Sequence, residues 1–197
     1  LFTVTIAIVM GPGWPYFAVL IAALALAWFK AKGEARRNLL VLGVAYISIG
    51  IGSIMWLYEL VGFGITFWFM LVVWSVDVGG LVVGCSLKGP KLAPKISPNK
   101  TWSGLFGGML FSVIFGNLFC YYAGAGAHLQ YYGALAAVLA VVAQMGDLVE
   151  SQIKRSLNLK DSSNLIPGHG GIFDRIDGMI FAAPLVYVLF RYVLYIL

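Results

Sequence analysis

The sequence predicts an all-α, polytopic membrane bundle of about six full transmembrane helices, preceded by the end of a truncated upstream one. Three observations predict it. The 197 residues are 61% hydrophobic and 11% charged, with a mean hydropathy of +0.92, whereas soluble domains carry about a quarter charged residues. The apolar residues gather in runs approaching the roughly 20 residues needed to cross a bilayer. Between those runs, the cations occupy alternate loops.

The elements follow in chain order. Leu1–Met10 reads as the end of an upstream helix, stopped by Gly11-Pro12-Gly13. The chain opens on Leu rather than Met, so further residues upstream are expected. Full spans are expected at Pro15–Phe29, Asn38–Leu57, Gly64–Leu87, Trp102–Tyr122, Leu129–Ser151 and Asp174–Ile196. Gly80/Gly84 and Gly104/Gly108 have the small-xxx-small spacing that lets helices approach closely, and simple packing accounts for them.

Charge sets the orientation. Lys30, Lys32, Arg36 and Arg37 lie between the first two spans, and Lys88, Lys91, Lys95 and Lys100 between the third and fourth. Lys154, Arg155, Lys160 and Arg175 lie in or beside the connection between the last two. The intervening loops, Tyr58–Phe63 and Ala123–His128, carry no Lys or Arg. The positive-inside rule then puts the basic loops in the cytosol and the C-terminus outside. Arg191, late in the last span, can snorkel to the outer surface. The net charge of +5 and pI near 9.3 do not indicate nucleic acid. Cations in short loops between apolar helices serve orientation and anionic lipid. Cys85 and Cys120 are the two cysteines, which excludes a disulfide framework and a cysteine zinc site.

Acidic residues inside apolar spans need a partner or a purpose, because each costs about 2.5–3.5 kcal/mol on insertion scales. Asp147, Glu150 and Ser151 follow i, i+3, i+4 spacing on one helical face, and Lys154 continues that face. Glu150 is read either as part of that acidic face or as the ion-pair partner of Lys154. Asp174 and Asp177 repeat the i, i+3 spacing at the start of the last span, where the helix dipole alone also accounts for Asp174. One connection joins these two faces, so their carboxylates can converge, and they repel unless a cation lies between them. Oxygen donors without cysteine indicate Mg²⁺ rather than zinc. Asp77 is either a further member of that site or a hydrogen-bond partner for a neighbouring helix.

The decisive segment is Ser151–Asp177, SQIKRSLNLKDSSNLIPGHGGIFDRID. Cations with small hydroxyl and glycine residues suit a polyphosphate, and spaced aspartates suit the hard metal that accompanies one. The segment closely resembles the signature of phosphatidate cytidylyltransferases. It carries Ser151, Lys154-Arg155, Lys160-Asp161, Pro167-Gly168-His169-Gly170-Gly171 and Asp174-Arg175-Ile176-Asp177 without departure. A looser likeness covers Trp74–Gly108, including Ser97-Pro98-Asn99-Lys100-Thr101 in a loop whose three prolines preclude a regular helix.

The resemblance implies transfer of a cytidylyl group from CTP to phosphatidate at the cytosolic face of the bilayer, in a bacterial inner membrane. It implies metal-binding roles for Asp147 and Asp174, with Asp177 and Asp77 as further members. It leaves room for a second cation beside Mg²⁺ and for a homo-oligomer. Lys154 and Arg175 are expected in the catalytic group, Arg175 through a planar fork suited to phosphate. His169 is expected as a phosphate or leaving-group contact rather than a base, since the attacking phosphate is already anionic. Ser151, Arg155, Lys160, Asp161, Gly170 and Gly171 are expected to hold the nucleotide. Ser97, Lys100 and Thr101 are read as a phosphate contact or as an anionic-lipid anchor. On this reading residues 1–60 are N-terminal membrane helices. Residues 61–197 form the catalytic membrane domain, with cytosolic loops 88–101 and 152–173. A CTP-dependent lipid or polyprenol kinase and a cation-coupled transporter are the rival readings.

Overall fold

The computed structural model describes residues 13–30, 33–156 and 176–194. They form α1 (Trp14–Lys30), α2 (Glu34–Leu87), strands β1 (Lys91–Ala93) and β2 (Ser97–Thr101), α3 (Trp102–Tyr122), a 3₁₀ turn (Gly126–His128), α4 (Leu129–Ser156) and α5 (Asp177–Leu189). A π-helical turn, Phe190–Leu194, follows. Arg37–Leu87, Trp102–Tyr122 and Gly126–Ser156 are long and apolar enough to cross a membrane, and Tyr16–Lys30 is a shorter apolar helix. The protein is an all-α integral membrane protein, with one small hairpin among the described residues.

The range of α2 comprises two helices that meet at a kink. The non-helical residue is Gly62, with φ 76° and ψ −173°, inside the expected connection Tyr58–Phe63, which is shorter than foreseen between the spans Asn38–Leu57 and Gly64–Leu87. Positive φ of this kind is open to glycine and strained for other residues. The chain divides into two compact units, Leu1–Gly62 with Ala183–Leu197, and Phe63–Ala182. In the first unit the buried Tyr16 hydroxyl donates to the Ser48 carbonyl. The Tyr16 ring meets Trp56 edge-on at 5.6 Å, and the Arg37 guanidinium lies 4.2 Å over the Trp28 ring.

The second unit holds every described residue of the expected site. Helix α3 is inside-out relative to a soluble helix. Its buried face is Gly104, Gly107, Gly108, Ser112, Gly116 and Cys120, while Phe106, Leu110 and Leu118 point outward. In lipid, large apolar side chains gain little from burial against protein, whereas small ones let backbones approach. The sequence spacing is used in this way. A Cβ on Gly80 or Gly84 would lie 3.5 Å from the Gly104 carbonyl oxygen or 3.3 Å from the Gly104 Cα, and one on Gly108 would lie 2.9 Å from the Val76 carbonyl oxygen. Gly116 fits where Trp68 and Val72 of α2 and Ala136 of α4 come together, and the Ser112 hydroxyl bonds to the Ala136 carbonyl at 3.3 Å.

Two more boundaries differ from expectation. Residues 88–101 lack a helix as foreseen, but they form an antiparallel hairpin pairing Lys91 with Thr101 and Ala93 with Ser97. Helix α4 runs to Ser156 rather than ending at Ser151, so Lys154 and Arg155 are helical and residues 152–156 are not part of a loop. The extension is consistent with good helix formers, and its two cations in the last turn complement the helix dipole. Leu1–Met10 lies outside the described residues.

The close α2–α3 approach gives a direct test. Gly108→Ala must displace the Val76 backbone and should lower the melting temperature in detergent, in line with overpacking costs of about 1–3 kcal/mol. Gly64→Ala, where a Cβ meets nothing within 4 Å, should leave it unchanged or raise it, because alanine favours helix. Equal melting temperatures for the two variants would contradict the packing described.

Candidate functional site

Helix α4 presents Asp147, Glu150 and Lys154 along one face, and α5 begins at Asp177. What brings them together is again glycine. A Cβ on Gly146 would strike the Phe181 side chain and lie 3.3 Å from the Gly178 Cα, and one on Gly178 would lie 3.1 Å from the Ala143 carbonyl oxygen. The helices therefore touch one residue from Asp147 on one side and one residue from Asp177 on the other. A ligand oxygen from each of Asp147, Glu150 and Asp177 lies within 4.8 Å of the others. Glu150 and Asp177 are buried, at 4% and 8% exposure. Asp177 also accepts from the Gly178 N–H at 2.7 Å, in the first turn of α5, where the dipole favours negative charge. Asp77 is exposed on α2, and its charge acts on Asp177.

Two cations offset this density. Lys154 Nζ lies 2.7 Å from Glu150 Oε2, an i,i+4 pair on α4. Lys100, on β2, forms an ion pair with Asp147 Oδ2. The hairpin is fixed in place for this contact. Thr101, at the N-cap of α3, accepts from the Gly104 N–H at 3.1 Å, and the Trp102 N–H donates to the Pro90 carbonyl at 3.1 Å. Thr101 is therefore buried and occupied in capping, whereas Ser97 is half-buried in the same strand. Ser151 is half-buried on α4 and Arg155 is exposed.

Of the residues singled out in the sequence, Asp147, Asp177, Lys100 and Lys154 meet here. Asp174, Arg175, His169, Lys160, Asp161, Gly170 and Gly171 lie outside the described residues. Glu150 joins both alternatives left open for it: it pairs with Lys154 and also stands in the acidic cluster. The signal was present in its i+3 spacing from Asp147. Lys100 was noted for phosphate or lipid. Its pairing with Asp147, 47 residues away, had no local signal.

The cluster fits a hard divalent cation. An octahedral Mg²⁺ shell with bonds of about 2.1 Å sets its oxygens about 3–4.2 Å apart, which small rotations of these side chains reach. A helical membrane protein with this acidic centre falls into a defined class: the chain belongs to the cytidylyltransferase family, matched over residues 1–193. Its relatives include proteins named phosphatidate cytidylyltransferase. The one from Brucella suis biovar 1 (strain 1330) is 40% identical over 163 residues, covering 82% of this chain and 58% of the relative. That from Rickettsia bellii (strain RML369-C) is 35% identical, covering 88% and 79%, and that from Bacillus subtilis (strain 168) is 39% identical, covering 76% and 56%. The chain thus spans a little over half the length of the Brucella and Bacillus relatives.

The Glu150–Lys154 pair yields a stability prediction. Lys154→Met removes the cation from a buried carboxylate that stands beside two others and should cost about 3 kcal/mol. Adding Glu150→Gln removes that charge and should recover most of the loss. Chemical denaturation of the two variants in detergent measures both, and a double variant no more stable than Lys154→Met would contradict the assignment.

Proposed function

We propose that this protein transfers the cytidylyl group of CTP to phosphatidate, forming CDP-diacylglycerol and pyrophosphate. The observation that carries the reading is the convergence of Asp147, Glu150 and Asp177 within 4.8 Å at the two helix ends that flank the segment resembling phosphatidate cytidylyltransferases. In this reaction a phosphate oxygen of phosphatidate attacks the α-phosphorus of CTP. The bond from that phosphorus to the β-phosphate oxygen breaks, and pyrophosphate leaves with the electron pair. The attacking oxygen is already anionic, so no base is needed.

The chain's task is then to bring two polyanions together. Asp147, Glu150 and Asp177 would hold Mg²⁺, with Asp174 as a further ligand and Asp77 contributing charge nearby. The ion would screen the phosphates and stabilise the departing pyrophosphate. Lys154 keeps Glu150 in place. Arg155 and Lys160 supply positive charge for the nucleotide, and Arg175 supplies a fork for bidentate phosphate contact. Catalysis on this account is positioning and electrostatics. A site at the cytosolic face of a bacterial inner membrane, which the alternation of basic loops supports, gives access both to soluble CTP and to a lipid phosphate.

Purified protein supplied with CTP labelled at either phosphorus tests the proposal. Label from the α-phosphate should enter the lipid product. Label from the γ-phosphate entering lipid would mean a kinase, and neither entering would remove group transfer. Asp147→Asn should reduce α-label transfer about a hundredfold or more while the protein remains folded.

A further inference from the structure

Lys100 is engaged in a way that cytidylyl transfer alone does not explain. It is a Lys in a basic loop, where the usual occupation is a lipid headgroup or solvent. Instead its side chain is only 18% exposed and its ammonium is bound to Asp147 Oδ2. Its base is rigid. The next residue caps α3, the strand pairs with β1, and β2 touches α4 directly. Lys100 therefore reaches the acidic centre from a fixed platform rather than visiting it by chance.

We infer that Lys100 is the place-holder for the divalent cation, so that its ion pair with Asp147 and metal binding at Asp147 are mutually exclusive. This rests on the metal reading given above. Geometry supports it. An ammonium on one Asp147 oxygen and a metal on the same carboxylate would stand within a few ångströms, where like charges repel strongly in a poorly screened site. A Lys suits the role, since it is a compact point charge on a flexible stem and makes no bidentate lock as an Arg would. The ion pair keeps the cluster intact before the metal arrives, and displacement frees a cation beside the place where phosphates are bound.

Reciprocity between the two cations makes this measurable without turnover. Mn²⁺ serves as the probe, its free fraction counted by electron paramagnetic resonance with the full chain in detergent, and melting temperature is read with and without metal. Lys100→Met should bind Mn²⁺ about tenfold more tightly than wild type. It should also melt lower when metal-free and gain more from Mn²⁺. Lys100→Gln, a milder change, should tighten Mn²⁺ binding in the same direction and serves if Lys100→Met folds poorly. Wild type that binds Mn²⁺ with variants that bind it equally or more weakly would overturn the place-holder role alone. Wild type that binds no Mn²⁺ would overturn the metal reading and this inference with it.

Discussion

Mutual repulsion among Asp147, Glu150 and Asp177 is the constraint around which the second unit is organised. Unit charges about 4 Å apart interact by roughly 4 kcal/mol at an effective dielectric near 20, and each acid also carries the cost of its place in an apolar bundle. Such a cluster persists only if cations are delivered to it. One comes from the same helix, one turn further along, as Lys154. The other comes from a hairpin that exists between two membrane helices and ends in the capping residue of the second.

The delivery depends on contacts that contain almost no side chain. Gly80, Gly84, Gly104 and Gly108 bring α2 and α3 together, which fixes Thr101 and hence Lys100 one residue before it. Gly146 and Gly178 do the same for α4 and α5, which sets Asp177 against Asp147 and Glu150. In a soluble protein such faces would be lined with leucine. In lipid the apolar bulk is left outside, as Phe106 and Leu110 are, and close backbone approach carries the specificity. The electrostatic centre and the glycine faces are thus one design: the first needs a geometry that only the second supplies.

Much of this was legible in the chain. The apolar run Trp102–Tyr122 has the boundaries of the observed helix. The shared face of Asp147, Glu150 and Lys154 follows from helical spacing alone. Other features were not legible because their causes are not local. Helix continues to either side of Gly62, so composition placed a loop where a single backbone break suffices. The hairpin was hidden because three prolines read as irregular chain, whereas pairing depends on Lys91 meeting Thr101 across a turn. Lys100 and Asp147 are 47 residues apart, and nothing near either residue announces the other. Helical spacing leaves Glu150 open between the acidic face and a pair with Lys154, because its proximity to Asp177 depends on the packing of Gly146 against Gly178.

The central claim is that these three carboxylates bind one divalent cation, and metal-directed cleavage tests it most directly. Iron(II) substituted for the native ion, with ascorbate and peroxide, generates radicals that cut the backbone beside the place where it is bound. The account predicts cuts close to Asp147–Glu150 and close to Asp177, both suppressed by excess Mg²⁺. Cuts confined to other parts of the chain, or cuts at these positions that Mg²⁺ does not suppress, would contradict it.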